Sequence, residues 1–325
     1  MTAKEQYAEF CQHQPDMPVM MQPWWLEAVC AGKEWDVMLF TERDLQPESW
    51  WAKLRGKREE EGAKTTSLKE QGLRTDQVVA VLPYMLHKRL GYRFIVMPQM
   101  TMFGGAWMNQ DIFGDPDKQQ RLAELITQRL KQLHVAFYLQ DYCIGNPLPH
   151  WLKKKRFNTR EIHHQLISPD LQQTNADSPA NQDTHQQITA EIFYQFYAEC
   201  MKAQGTKTEY SREFLIVLNR KASRTGRCEL VSVGDTDGKM QAAAFIVWDN
   251  NALYPLITCS AAPNNSDIDH QLNQLIANKA VALGVNIVYP GSSNKTSLMQ
   301  YRVWKFVNPW LTPFFHYAYK KELAS

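Results

Sequence analysis

One order of secondary-structure elements is written twice along this chain, and that duplication constrains the fold more than any other feature. In the front half, Trp24-Trp-Leu-Glu-Ala-Val-Cys reads as a helix, Trp35 to Phe40 as a strand, and Val78 to Leu86 as a strand turning at Leu90-Gly91 into a third, Arg93 to Met97. Asp117 to Leu133 places Leu122, Leu125, Ile126 and Leu130 on one helical face. A strand from Val135 to Leu139, a short helix from Pro149 to Lys154 and a closing strand from Phe157 to Ile167 follow.

The rear half repeats the series. Thr189 to Met201 carries Ile192, Phe193, Phe196 and Tyr197 at helical spacing. Cys228 to Val233 alternates as a strand, Asp235-Thr-Asp-Gly-Lys is a hairpin turn, and Met240 to Trp248 and Ala252 to Cys259 complete a meander through the turn Asp249-Asn-Asn. Asp267 to Leu283 is a helix that stops at Gly284, and Val285 to Tyr289 is a short buried strand. The turn Pro290-Gly-Ser-Ser-Asn is expected to open a last helix reaching Phe306, and Pro313 to Tyr319 to close the half as a strand. Leu133-His-Val-Ala-Phe-Tyr-Leu matches Leu283-Gly-Val-Asn-Ile-Val-Tyr, and Lys155-Arg-Phe-Asn matches Lys305-Phe-Val-Asn. Two copies of one α/β module with a mixed sheet, residues 1–167 and 188–325, fit the 325-residue length.

Two stretches break the apolar pattern. Residues 46–76 are charged around Lys57-Arg-Glu-Glu-Glu and read as an insertion, either a solvated excursion or a short helix docking Trp50, Trp51 and Leu54; residues 168–187 are polar and read as a linker. Lys and Arg total 36 against 34 Asp and Glu, a balance that argues against a chain built to neutralise many phosphates, so DNA is not expected as a partner. No apolar run approaches the roughly 20 residues that span a bilayer. The start Met1-Thr-Ala-Lys-Glu-Gln lacks the apolar stretch of a secretory signal, so the chain is read as cytoplasmic. The six cysteines are scattered without a Cys-x-x-Cys pair, and His163-His164 points one ring to each face of a strand, so no metal site is expected.

The most informative string is Asn294-Lys-Thr-Ser-Leu-Met-Gln-Tyr-Arg-Val-Trp-Lys-Phe306. It resembles the late signature of the GNAT acyltransferase superfamily: an Asn, a Tyr seven residues on, and a Phe five beyond. On a helix, Asn294 and Tyr301 lie two turns apart on nearly one face and can line one cleft; otherwise Asn294 caps the helix and Tyr301 packs on the sheet. Lys305 stands where that family usually has Gly. The family's Gly-rich diphosphate loop is missing: its place reads Ala262-Pro-Asn-Asn-Ser-Asp-Ile-Asp-His270 in the rear half and Gln99-Met-Thr-Met-Phe-Gly-Gly-Ala-Trp-Met-Asn109 in the front. Paired GNAT-like modules with worn phosphate loops are similar to the Fem-type aminoacyltransferases and related double-GNAT proteins.

The resemblance implies two tandem GNAT-like domains and transfer of an acyl group to an amine, with acyl-CoA as cosubstrate and a small-molecule or peptide-like acceptor. It implies that Tyr301 protonates a departing thiolate, and that Asn294 and Asn264 lie beside the donor's arm. It also implies that Leu256, Thr258 and Ser260 offer backbone groups to the carbonyl where central strands part. A tRNA-linked donor is the disfavoured alternative, because the long helical hairpin of many Fem-type enzymes is not evident. An alkyl ammonium near pKa 10.4 must lose a proton before attack, and the candidate bases are Glu27, Asp141 and His316. A surface helix position, a strand-end turn and an exposed strand position account for those three equally simply. Trp24, Trp25, Phe103, Gly104, Trp107, Tyr289 and Ser292 are the candidate groove residues, with plain core packing as the alternative for the aromatics. Lys153-Lys-Lys-Arg156 reads as a cationic helix end or a contact for an anionic substrate. A non-catalytic binding protein on the same fold is the competing class.

Overall fold

Helix ends follow local chemistry. In the computed structural model, which describes residues 1–30, 32–46, 77–89, 91–167, 185–262, 266–289 and 298–307, helix α1 (Ala3–Gln12) opens on a capping box between Thr2 and Glu5. Helix α2 (Pro23–Val29) starts on a proline whose missing N–H costs nothing there. Strand β1 (Glu34–Thr41), helix α3 (Glu42–Leu45), β2 (Val78–Arg89), β3 (Tyr92–Val96), the two-residue β4 (Trp107–Met108) and α4 (Gln110–Phe113) lead to the long α5 (Pro116–Gln132), capped by Asp115. Strand β5 (Val135–Asp141), α6 (Leu148–Lys154) and β6 (Asn158–Ile167) complete the front series. The rear series runs β7 (His185–Gln187), α7 (Ala190–Ala203), α8 (Arg212–Ser223), β8 (Cys228–Gly234), β9 (Met240–Trp248), β10 (Ala252–Ser260), α9 (Ser266–Leu283), β11 (Asn286–Tyr289) and β12 (Leu298–Phe306).

The duplication is visible in the backbone. Both long helices end on a left-handed residue, His134 at φ 52° after α5 and Gly284 at φ 69° after α9, and each feeds a short buried strand. One mixed sheet of 12 strands joins everything in the order β1-β2-β3-β5-β12-β6-β11-β10-β9-β8-β7, with β4 on β2. Read from either edge it is nearly the same: an antiparallel meander, one parallel pair, then a strand belonging to the other series. Strand β12 lies between β5 and β6, running from Leu298↔His164 to Trp304↔Asn158 on one side and from Arg302↔Asp141 to Phe306↔Phe137 on the other. In exchange, β6 pairs with β11 at Ile287↔Ile167.

Strand alternation sorts the core. Thr159, opposite Val303, and Ile167, opposite Ile287, are eight residues apart on β6 and so face the same way. Val303 packs with α5 residues such as Leu122 and Ile126, and Ile287 packs with Leu272 and Ile276 of α9, so both long helices cover that face. The opposite face carries one large core shared by the series, in which Trp25, Leu26, Phe103 and Phe137 meet Phe193, Leu218, Phe245 and Tyr254. Helices α2 and α8 are tied across it by Lys221 Nζ on Glu27 at 2.7 Å.

The mixed α/β architecture and its duplicated order of elements are as expected from the sequence, but four readings need correction. The segment to Phe306 is a strand from Leu298, not a helix, so the two-turn spacing of Asn294 and Tyr301 does not describe its geometry. Gln300 and Arg302 alternate with Tyr301 and Val303, and both polar side chains find partners: Gln300 on the Met102 carbonyl at 3.1 Å, Arg302 on Asp141. The Lys155 and Lys305 match also fails, since Lys155 caps α6 before its strand begins whereas Lys305 nearly ends its own. Helices α1 and α8 are additional to the expected series. Residues 185–187 of the expected linker form β7 on β8. The 47–76 stretch of the insertion, with Trp50, Trp51 and Leu54, and the expected strand Pro313 to Tyr319 lie outside the described residues.

Candidate active site

Two places in the sheet let neighbouring parallel strands part, one in each series. In the front, β3 and β5 pair from Arg93↔Val135 to Ile95↔Tyr138 and then separate. The chain itself fills that wedge. Gly104 bridges to Tyr142 in parallel, its N–H donating to the Asp141 carbonyl at 2.6 Å, and the Gly105 N–H donates to Gln140 Oε1 at 3.0 Å. Glycine is required here. A β-carbon on Gly104 would collide with Gln140 Oε1, and Gly105 sits at φ 72° with the Tyr142 ring where its β-carbon would be. Gln300 holds the same loop from β12 through the Met102 carbonyl.

In the rear, β10 and β11 pair only at Ala252↔Asn286 and Leu253↔Ile287 among the described residues. Strand β11 then pairs Val288 and Tyr289 with β6, while β10 follows β9 to Ser260. A bulge between Pro255 and Ile257 adds Leu256 to β10, so that Tyr254, Leu256, Ile257 and Cys259 all pack on the shared core. A parted strand presents backbone N–H and C=O groups along its open edge, and among the described residues that edge of β10 is Leu256 to Ser260. Thr258 is exposed, and Ser260 donates to the Ala262 carbonyl at 3.2 Å. The helix that follows begins with Asp267 and Asp269 in its first turn, an electrostatic setting hostile to a diphosphate.

The remaining candidates are distributed between these places. Asp141 is buried, and both its oxygens accept from Arg302, at 2.8 Å from Nε and 2.9 Å from Nη2. Tyr301 is half-buried against the core that carries α5, and its carbonyl accepts the Tyr142 N–H at 2.9 Å, which ties it to the front wedge and not to the β10 edge. Glu27 is exposed and holds Lys221. Trp25 is fully buried and donates to Thr101 Oγ1 at 3.0 Å, with Trp24 edge-on to it at 5.7 Å and Trp107 packed on Phe10. Phe103 joins the halves, its ring 5.5 Å from Tyr254 and 5.9 Å from His164. Tyr289 ends β11 opposite Gln165. Asn264, Ser292, Asn294 and His316 lie outside the described residues. In the cationic run, Lys155 pairs with Glu124 at 2.9 Å and Lys154 lies over the Trp151 ring. No cluster of three His, Cys, Asp or Glu is placed to hold a metal ion among the described residues.

A polar junction between the halves was not singled out from sequence. Asp249 is buried and accepts from the Asn251 and Ala252 N–H groups through Oδ1, and from the Val19 N–H at 3.0 Å and the Tyr254 hydroxyl at 3.1 Å through Oδ2. Burial and that carboxylate hold the Tyr254 phenol well above its ordinary range, and burial together with Asp249 pushes the Cys143 thiol up to about 12. The signal available was the Asp249-Asn-Asn turn, which fixes half of the junction; its partner Val19 is far away in the chain.

By sequence the chain matches no family model and no curated protein. By structure it is similar to FemX, at TM-score 0.63 and 10% identity over 96% of this chain and 98% of that one. It is also similar to a tandem GNAT protein from the clavulanic acid biosynthesis pathway, at TM-score 0.51 and 8% identity over 94% and 95% of the two chains. A conserved protein of unknown function from Bacteroides thetaiotaomicron aligns at TM-score 0.52 and 10% identity over 93% and 96%. The chain therefore has a tandem GNAT-type fold. No helix among the described residues is long and apolar enough to cross a membrane.

Proposed function

We propose that the protein is an N-acyltransferase, with residues 1–167 and 188–325 as its two modules, that seats an activated acyl group on the free edge of β10. The observation that carries this reading is the bulged strand whose Leu256 to Ser260 edge has left its neighbour. Backbone N–H groups there are fixed before substrate arrives, so they can polarise a carbonyl oxygen without reorganising. The front wedge is occupied by Phe103 to Gly105, which leaves the rear module to take the donor and the front to position an acceptor.

A neutral amine attacks the acyl carbon, the carbon–sulfur bond of a thioester breaks, and the proton the amine loses balances the one the thiolate gains. The resemblance makes Asn294 the candidate for contacting the donor's arm, whereas Tyr301, tied by its backbone to the front wedge and packed on the core that carries α5, is not placed to give a thiolate leaving the β10 edge its proton. In this reading Asp141 with Arg302 positions β12 against β5. The acceptor is a small or peptide-like amine, and a cytoplasmic setting suits six free cysteines.

The test is incubation with acetyl-CoA and other acyl-CoAs across an amine panel, reading thiol release. Release that depends on the amine is expected; none with any pair would sink the acyl-CoA reading. Asp267 and Asp269, standing where a diphosphate would sit, favour a second reading in which the donor is an aminoacyl ester on tRNA, like the donors of Fem-type enzymes. Transfer of labelled amino acid from charged tRNA, without thiol chemistry, distinguishes it.

A further inference from the structure

Strand β6 belongs to the front series but reaches into the rear one, with β12 on one side and β11 on the other. Its register carries it past the parted strands. Ile287 of β11 stands opposite both Ile167 of β6 and Leu253 of β10, so the three strands are in step there. Strand β11 ends at Tyr289, opposite Gln165, and beyond it β6 and β10 flank the parting among the described residues. Counting on from Ile287, with one residue allowed for the bulge at Leu256, brings His163 level with Thr258 and Glu161 level with Ser260. The parting opens at two strand spacings, roughly 10 Å.

These four residues share one face of the sheet. His163 and Glu161 keep the parity of Ile167, while Thr258 and Ser260 stand opposite Ala244 and Ala242, which pack with Ile287 under α9. His163 Nε2 and Glu161 Oε2 are 3.9 Å apart, too far to bond each other, with side chains 39% and 54% exposed. The other ring nitrogen, Nδ1, is buried without a hydrogen-bond partner among the described residues, so Nε2 is the nitrogen a solute can meet. Two acceptors at this separation leave room for one donor nitrogen about 2.9 Å from each. An ammonium has the hydrogens to serve both.

We propose that Glu161 and His163 receive the acceptor amine opposite the β10 edge: Glu161 holds the ammonium, and His163 takes the proton that must leave before attack. This rests on the reading of β10 as the acyl seat. With the imidazole hydrogen on Nδ1, the Nε2 lone pair accepts one proton from the alkylammonium. The amine nitrogen then bonds to the acyl carbon, the carbon–sulfur bond breaks, a second proton passes from nitrogen to the thiolate, and His163 returns its own to water. His163 is a catalytic residue in this scheme, and Glu161 a binding one.

In amine-dependent thiol release from acetyl-CoA, His163→Gln should lower kcat by about 100-fold or more with the amine KM little changed. Glu161→Gln should raise that KM by about tenfold or more. Imidazole added to His163→Gly should restore part of the lost turnover, which a structural role would not allow. Wild-type kinetics in both Gln variants would overturn the assignment and leave the β10 reading standing. If the wild type releases no thiol with any pair, it is the β10 reading that fails, and ammonium binding then decides whether the pair is an amine site. Propylammonium, and not propanol, is expected to shift the His163 ring resonance saturably, the resonance being identified by its absence in His163→Gln. No shift, or an equal one with propanol, would overturn the site.

Discussion

At the scale of single residues, the contacts that matter most join positions far apart in sequence, and their energetics are testable one side chain at a time. Asp141 and Arg302 sit directly opposite on β5 and β12, with side chains 7% and 13% exposed. Breaking such a pair from one side leaves a buried charge, so Arg302→Met is expected to cost about 3–5 kcal/mol in urea unfolding. The double variant Asp141→Leu with Arg302→Met should recover much of that loss. Gly105→Ala forces a β-carbon onto the Tyr142 ring at positive φ, and about 1–3 kcal/mol is expected from the backbone conformation before the clash is counted.

Tyr254 adds a pH dependence with a definite sign. Its phenol is held well above the usual value by burial and by Asp249, so the folded chain keeps a proton that the unfolded chain loses above about pH 10. Stability must therefore fall as pH rises past that point, and the buried Tyr7 and Tyr138 act in the same direction. Tyr254→Phe should cost about 1.5–3 kcal/mol near neutrality through the lost bond to Asp249. The gap between variant and wild type should narrow between pH 9 and about pH 11, as read by chemical unfolding at each pH.

At the scale of elements, the bulge in β10 makes a sharp test of the proposed site. Leu256 and Ile257 both face the shared core, so deleting Leu256 leaves Tyr254, Ile257 and Cys259 on their proper side and restores regular pairing with β9. The variant should fold, with a loss of about 1–2 kcal/mol for the missing half-buried leucine, yet transfer no acyl group. Retained transfer would mean that the bulge is packing only.

The meanders, the long helices and the αL stop at Gly284 were legible because each is written in local periodicity and a local cap. Helix α8 carries its own Ser211 cap and the buried trio Leu215, Leu218 and Ala222, so its signal was present and went unread. Strand β12 misled because helical spacing and strand alternation both fit one stretch of nine residues, and only its two neighbours in the sheet decide between them. The same non-locality hid Gln140, Gln300 and Asp249, whose partners no spacing rule connects.

At the scale of the whole molecule, the exchange of β6 and β12 means that neither series closes its sheet alone. Residues 1–167 expressed by themselves would expose the edge of β5 where β12 belongs and both edges of β6, whose neighbours β12 and β11 lie in the rear series. They are expected to be aggregation-prone, and co-expression with residues 168–325 should return a soluble complex that purifies as one species. A well-behaved monomer of residues 1–167 with a cooperative unfolding transition would show that the exchange is dispensable.

The crossing of the last strand also orders events on the ribosome. By the time β6 has left the exit tunnel, every front-half partner is available except the one that must lie between β5 and β6, and that one is translated only after the entire rear meander and α9. A nascent front half thus waits with an unfilled slot for most of the rear half's synthesis, which exposes it to chaperones and to pairing with neighbouring copies on the same messenger. Slowing translation should prolong that vulnerable interval rather than relieve it.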